Sequence, residues 1–258
     1  MPCGGNIFLI ATAGENVMID IGYGIYHHDV MAMLSRYGFG DERKISRIII
    51  THADADHCGA AGFFTAPVFM HKGTLAIIKK NNRAYGSRSE HLVLEEFYTK
   101  MINLFSKFNS TAKVQCFDDQ QVAMRGIFPV IGTVTIGNLE MDVLEGLGGH
   151  TYGQIYRYSQ KQGLLFAAES VINFSSLTQE RADFSSLAAF LVTSVNVDSD
   201  LAKMEHRALL DLAQETDSEL ATDGRRCLLC GGHGAVSVLE GNKLIAHGTI
   251  ERYQPLNS

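Results

Sequence analysis

The chain has 258 residues, 46% hydrophobic and 19% charged, with four prolines. That is the composition of a globular protein with length for a sizeable core. Its 22 basic and 28 acidic side chains leave a formal charge of −6, which argues against a nucleic-acid partner, since such partners need a basic face.

No apolar run approaches the ~20 residues of a membrane span, and no basic region precedes the first apolar run. Five scattered cysteines make no disulfide framework, so a cytoplasmic home without a membrane partner is expected.

Residues 6–11 and 16–21 are short apolar runs joined by Ala13, Gly14 and Glu15, the pattern of a β-hairpin. Asp20 and Gly22 break the second run, and a glycine- and aromatic-rich loop leads to a predicted helix over 29–37 with Gly38 just past its end. Residues 45–51 predict a buried strand. It delivers His52, Asp54, Asp56 and His57, four potential metal ligands within six positions. One Asp here would fit a cap on the next helix. Two His and two Asp fit better a metal site at the carboxyl end of a strand, offering imidazole nitrogens and hard oxygens.

A short helix over 60–64, a strand over 67–70 and a helix over 73–80 follow. From 81 to 125 the pattern changes. A polar loop precedes a predicted helix over 90–108, whose stripe of Leu92, Leu94, Phe97, Met101, Leu104, Phe105 and Phe108 reads as packing. The whole segment reads as a helical insertion that roofs an active site within a single domain, 1–258. Lys72, Lys79, Lys80, Arg83 and Arg88 read as a solvated basic face.

Strands are predicted over 133–136, 139–144, 154–158 and 163–167, with hairpin turns at Gly137-Asn138 and around Gly163. Residues 176–197 read as helical. Residues 198–214 form a firmer helix capped by Asp198 or Asp200. Short strands over 227–229 and 243–246 close the chain.

Three later stretches match the first in kind. His150 sits in the glycine turn Gly148-Gly149-His150-Thr151, Glu169 at a strand end, and His233 in Gly231-Gly232-His233-Gly234. Glycine lets the backbone turn sharply, so that the His can project toward a metal. The remaining reactive side chains read as ordinary structure. Cys58, Cys227 and Cys230 are packing residues, and His27 and His28 are solvated near the site mouth. His71, His91, His206 and His247 have no partner pattern.

Taken together and in order, these motifs resemble the metallo-β-lactamase superfamily over residues 6–247. His52, Asp56 and His57 match its Thr-His-x-His-x-Asp-His loop, His150 its Gly-His-Thr turn, His233 its last His, and Asp20-x-Gly22 its early Asp-x-Gly. Asp54 stands where the family has a second His, and Glu169 where it has a bridging Asp. The resemblance implies an αβ/βα sandwich, two mixed sheets with helices outside. It implies two divalent metal ions, one held by His52, Asp54 and His150, the other by Asp56, His57 and His233, with Glu169 between. More oxygen in the set moves preference from zinc toward iron or manganese. The implied activity is hydrolysis of a small-molecule ester, thioester, lactone or phosphoester by a metal-activated hydroxide that Asp56 orients. The alternative is a non-heme diiron protein that binds or reduces O2 or NO. The flavodiiron branch of the superfamily carries a carboxylate at the position of Asp54, although this chain lacks its flavodoxin domain.

Overall fold

The computed structural model describes residues 4–106, 113–117, 120–192 and 194–248. The first of two mixed sheets holds β1 (Phe8–Ala11), β2 (Asn16–Ile19), β3 (Ile45–Ile49), β4 (Val68–Met70) and β5 (Val114–Cys116) in that spatial order. β1 and β2 pair antiparallel, and β2 through β5 run parallel. Parallel neighbours need crossovers. α1 (His27–Arg36) joins β2 to β3, the short α2 (Ala55–Cys58) joins β3 to β4, and α3 (Lys72–Lys80) and α4 (Val93–Ile102) lead to β5.

The second sheet holds β6 (Ala123–Arg125), β7 (Phe128–Ile136), β8 (Leu139–Glu145), β9 (Ile155–Ser159), β10 (Leu164–Ile172), β11 (Leu228–His233), β12 (Ser237–Glu240) and β13 (Lys243–Ala246), in chain order across the sheet. Only β10 and β11 pair parallel. Between them lie α5 (Gln179–Ser185), α6 (Leu187–Val192) and α7 (Ser199–Leu220). The Asp198 side chain caps α7 by accepting from the amides of Asp200 and Leu201.

Strand alternation builds the layers. Val17 and Ile19 of β2 and Ile49 of β3 face Met141, Val143, Ile155 and Phe166 of the second sheet, forming the core between the sheets. The opposite-facing Met18, Ile48 and Ile50 pack under α1 and α3 with Val30, Leu34 and Ile78. On the far side Leu165 and Ala167 of β10 pack against Leu209, Leu212 and Ala213 of α7. The result is an αβ/βα sandwich. Ile19, Ile48 and Ile50 are fully buried, each contributing about 1.5–3 kcal/mol of apolar transfer. Among the described residues no helix is long and apolar enough to cross a membrane.

Several elements differ from expectation. The segment 81–125 is not wholly helical, since it supplies the edge strand β5 to one sheet and β6 to the other. α4 spans ten residues and gives way to a 3-10 turn at Asn103–Phe105; Phe108 lies outside the described residues. Leu92, Leu94, Phe97 and Leu104 of the expected packing stripe are exposed. The helix instead turns inward the face of Glu95, Thr99 and Ile102, because Arg83 is buried beneath it. The Arg83 amide donates to Thr99 Oγ1, and its guanidinium lies 3.7 Å from Glu95. α7 runs to Leu220, past the predicted end at 214.

Candidate metal centre

The loop after β3 is organised by Asp20, a buried residue with φ of 57° at the break in the second strand. Its Oδ1 accepts from the Thr51 amide at 2.8 Å, and its Oδ2 accepts from the Thr51 hydroxyl at 2.7 Å and from His57 Nδ1 at 2.8 Å. Because the Thr51 hydroxyl donates to Asp20, its oxygen accepts from His52 Nδ1 at 2.9 Å. Asn196 Oδ1 accepts from His150 Nδ1 at 3.1 Å. Three imidazoles therefore carry their proton on Nδ1 and leave the Nε2 lone pair for a ligand, as metal-binding histidines do when an outer oxygen fixes their tautomer.

The second sheet supplies the other side chains through irregular backbone. The His150 turn is braced by Glu205 of α7, whose carboxylate accepts from the amides of Leu147 and Gly149. A Cβ on Gly149 would stand 2.3 Å from Glu205 Oε2, so glycine is needed there for close approach. In β10 the register shifts between Phe166 and Ala168, and Ala168 takes a φ of 45°. This bulge aims Glu169 toward the centre from inside the strand, rather than from the strand end expected. His233 closes β11, and Asn6 clamps that strand. The Asn6 side chain donates to the carbonyls of Gly231 and Gly234 at 2.9 and 2.7 Å, and its amide to that of Gly232 at 2.7 Å.

The structure brings together all seven expected side chains in two adjacent groups, within each of which the candidate ligand atoms lie within 4.8 Å of one another. The first group is His52, Asp54 and His150, with Asp54 Oδ2 3.1 Å from His150 Nε2 and 3.9 Å from His52 Nε2. The second is Asp56, His57, Glu169 and His233. Glu169 Oε1 lies 2.9 Å from His57 Nε2 and 2.7 Å from His233 Nε2. Asp56 Oδ2 lies 3.6 and 3.2 Å from the same nitrogens. The rings of His52 and His57, one from each group, are 4.3 Å apart. Asp20, His52 and His57 also cluster, but both Asp20 oxygens already hold hydrogen bonds, so Asp20 is an orienting partner.

The electrostatics fit a bound cation. Burial disfavours a charged His57, yet the Asp56 and Asp20 carboxylates outweigh it and hold the imidazole pKa well above its usual value. His233 is raised to about 9 against the same burial, chiefly by Glu169 and Asp56. The second group thus calls for positive charge, which a metal supplies in place of protons. In the first group, burial and the neighbouring His57 push His52 well below its usual pKa. Its Nε2 is buried with no hydrogen-bond partner, a free lone pair among ligand atoms. Four imidazoles and three carboxylates suit zinc, iron or manganese by donor chemistry.

A cavity of about 390 Å³ opens over both groups, reached by Asp54, Asp56, His150, Glu169 and His233. Residues from the segment 81–125, including Asn81, Arg83, Tyr98, Ile102 and Asn103, line it from the other side. Arg83 corrects the expectation of a solvated basic face, since it is 4% exposed and lies 3.6 Å from Asp54 Oδ2. Burial works against its charge, but Asp54, Tyr98 and Glu95 raise its pKa. At Asp54 burial works against the charge, but Arg83, His150 and His52 together outweigh it and keep that carboxyl far below its usual range. Nothing in sequence separates Arg83 from Lys79 or Lys80.

Two discounted histidines also have partners. His71 is buried 3.1 Å from Glu145, and His206 Nδ1 donates to the Ser170 carbonyl at 2.7 Å. Cys58, Cys227 and Cys230 are buried free thiols, as expected. His27 is half-buried and stacks on Phe63.

Residues 1–97 match the model of the metallo-beta-lactamase superfamily. No curated protein sequence matches the chain. Among solved structures the fold is similar to that of AidC, a dizinc quorum-quenching lactonase, at 18% identity and a TM-score of 0.59, covering 96% of this chain and 80% of that one. It is similar to the hydrolase AbOPH of the beta lactamase superfamily at 15% identity and TM-score 0.54, with 96% and 80% covered. It also resembles the BLEG-1 B3 metallo-beta-lactamase at 18% identity and TM-score 0.52, with 92% and 90% covered.

Proposed function

From the premise of a metallo-β-lactamase fold with the superfamily's sequence signature over residues 1–97, we propose that this protein is a two-metal hydrolase of a small-molecule ester, thioester, lactone or phosphoester. The observation that carries the reading is the gathering of seven candidate ligand side chains in two adjacent groups, five of them lining one cavity, with three imidazoles holding their proton on Nδ1. His52, Asp54 and His150 would hold one ion, and Asp56, His57 and His233 the other, with Glu169 between. Bound divalent ions supply Lewis acidity and lower the pKa of a water toward about 7. Asp56 orients the attacking water. Asp20, Thr51 and Asn196 hold the imidazole tautomers. The wall of residues 81–106 narrows access and orients the substrate.

The test is hydrolysis of p-nitrophenyl acetate, an acyl lactone and bis-p-nitrophenyl phosphate by protein purified without added metal, with its metal content measured. About two metal equivalents, and turnover of at least one substrate that chelation abolishes and metal restores, are expected. Turnover indifferent to chelation sinks the reading. Asp54, a carboxylate in place of the family's imidazole, supports a second reading as a diiron protein acting on O2 or NO. Two irons with metal-dependent O2 consumption and no hydrolysis would decide for it.

A further inference from the structure

We propose that the cavity takes a substrate bearing an oxyanionic group, a carboxylate or a phosphoryl group, and that Arg83 is the residue that holds it. The proposal rests on reading the cavity as a substrate site. Arg83 stands on the loop between α3 and α4, 4% exposed, on the cavity wall. Its Nη2 donates to the Val195 carbonyl at 2.7 Å. Asp54 and Glu95 approach to 3.6 and 3.7 Å, ion-pair distances outside hydrogen-bonding range. Nε and Nη1 are buried with no hydrogen-bond partner among the described residues. A guanidinium carries five donors in a rigid fork, and leaving buried donors unpaired is costly. The ring of Tyr98, 5.6 Å from the Arg83 guanidinium carbon, supports the group from one side.

The cavity as a whole has two faces of opposite character. Among the described residues its carboxylates are Asp54, Asp56 and Glu169, all in the ligand groups. Its cations, Arg83 and Lys100, and its amides, Asn81 and Asn103, all come from the facing wall. Lys100 is engaged by Glu96, and Asn103 donates to Asn81. That leaves Arg83, flanked by Asp54 and Glu95 at ion-pair distance, as the wall cation with donors in no hydrogen bond among the described residues. Nη2 keeps a second N–H beside its bond to Val195, and with Nε or Nη1 it makes a fork that two oxygens of a carboxylate or phosphoryl group match, where a neutral ester end would not. Because Arg83 adjoins Asp54, the anion would sit a few bonds from the group placed over the metals.

The test compares butyrate, glutarate and 4-phosphonobutyrate, which share one carboxylate and differ at the far end. Their binding to the metal-loaded protein is measured by calorimetry for wild type, Arg83→Gln and Arg83→Lys, with metal content and circular dichroism checked for each. Wild type should bind glutarate or 4-phosphonobutyrate roughly tenfold more tightly than butyrate, the scale of a charge-assisted hydrogen bond. The ligand that gains identifies the oxyanion. Arg83→Gln should erase the preference and Arg83→Lys should keep only part of it. No preference in wild type, or an undiminished one in a folded, metal-replete Arg83→Gln, overturns the proposal. Should Arg83→Gln fail to fold or hold metal, Arg83→Lys decides, and an undiminished preference there is equally fatal. Binding needs no turnover, so failure of the hydrolase reading leaves this result legible. Hydrolysis without Arg83-dependent preference overturns this proposal alone.

Discussion

The two candidate ligand groups lie side by side, yet they are built on different charge plans. The second sets two carboxylates against two imidazoles, with a third carboxylate, Asp20, behind His57. The first sets one carboxylate against two imidazoles, and that carboxylate already faces the buried guanidinium of Arg83. With its imidazoles neutral, as metal binding requires, the second group faces the charge of all three carboxylates, while the first is close to neutral. Cation affinity follows local charge as well as ligand count, so the two sites should fill unequally, the second first.

The largest effect should come from breaking the stronger group. His57→Ala removes a ligand and the group that Asp20 orients. It should abolish the tight phase of a two-phase metal titration of stripped protein, by more than the roughly 10–100-fold that loss of an outer partner costs. His150→Ala should instead remove the weak phase. If the weak phase disappears in His57→Ala while the tight one survives, the charge comparison is wrong.

The next effect concerns the balance in the first group. Asp54→His introduces the ligand type that the metallo-β-lactamase resemblance implies at this position but strips Arg83 of its nearest carboxylate. Arg83 is left buried with Glu95 as its remaining carboxylate, a loss of up to about 3 kcal/mol, so the variant should unfold at lower denaturant than wild type. Adding Arg83→Met should recover most of that loss and raise the zinc-to-iron ratio. A stable single variant would show that Glu95 alone satisfies Arg83.

The smallest effect is one of pH. His57 and His233 are raised in the folded state, His233 to about 9. The stability they give metal-free protein is complete below the unfolded value of about 6.5 and lost as pH rises through the folded one. Metal-free melting temperature should therefore fall between pH 7 and 10. The metal-loaded protein needs these histidines neutral, so the gap between loaded and stripped protein should widen with pH. A narrowing gap would contradict the assignment of both histidines to the second group.

Much of this was legible in the chain. The run before His52 announces a buried strand, and β3 spans Ile45–Ile49. Glycines around His150 and His233 mark positions where a Cβ would collide with backbone or a carboxylate, as at Gly149 in the turn and at Gly232 inside β11. The α4 stripe misled because periodicity reports which residues share a face, not which way that face turns; the inward face is set by Arg83, a tertiary partner. β5 and β6, three residues each at sheet edges, are too short to carry an alternation. Ala168 gives no local warning of the bulge that aims Glu169.

The clamp of Asn6 on β11 spans 225 positions of chain. Contacts of such separation bear a heavy loop-closure penalty and tend to form late in folding. During synthesis His52, Asp54, Asp56 and His57 emerge well before β11 exists, so the ribosome-bound chain carries half a chelator. The candidate ligand set is thus completed only when β11 pairs with β10, so any choice among competing ions would fall to the folded chain.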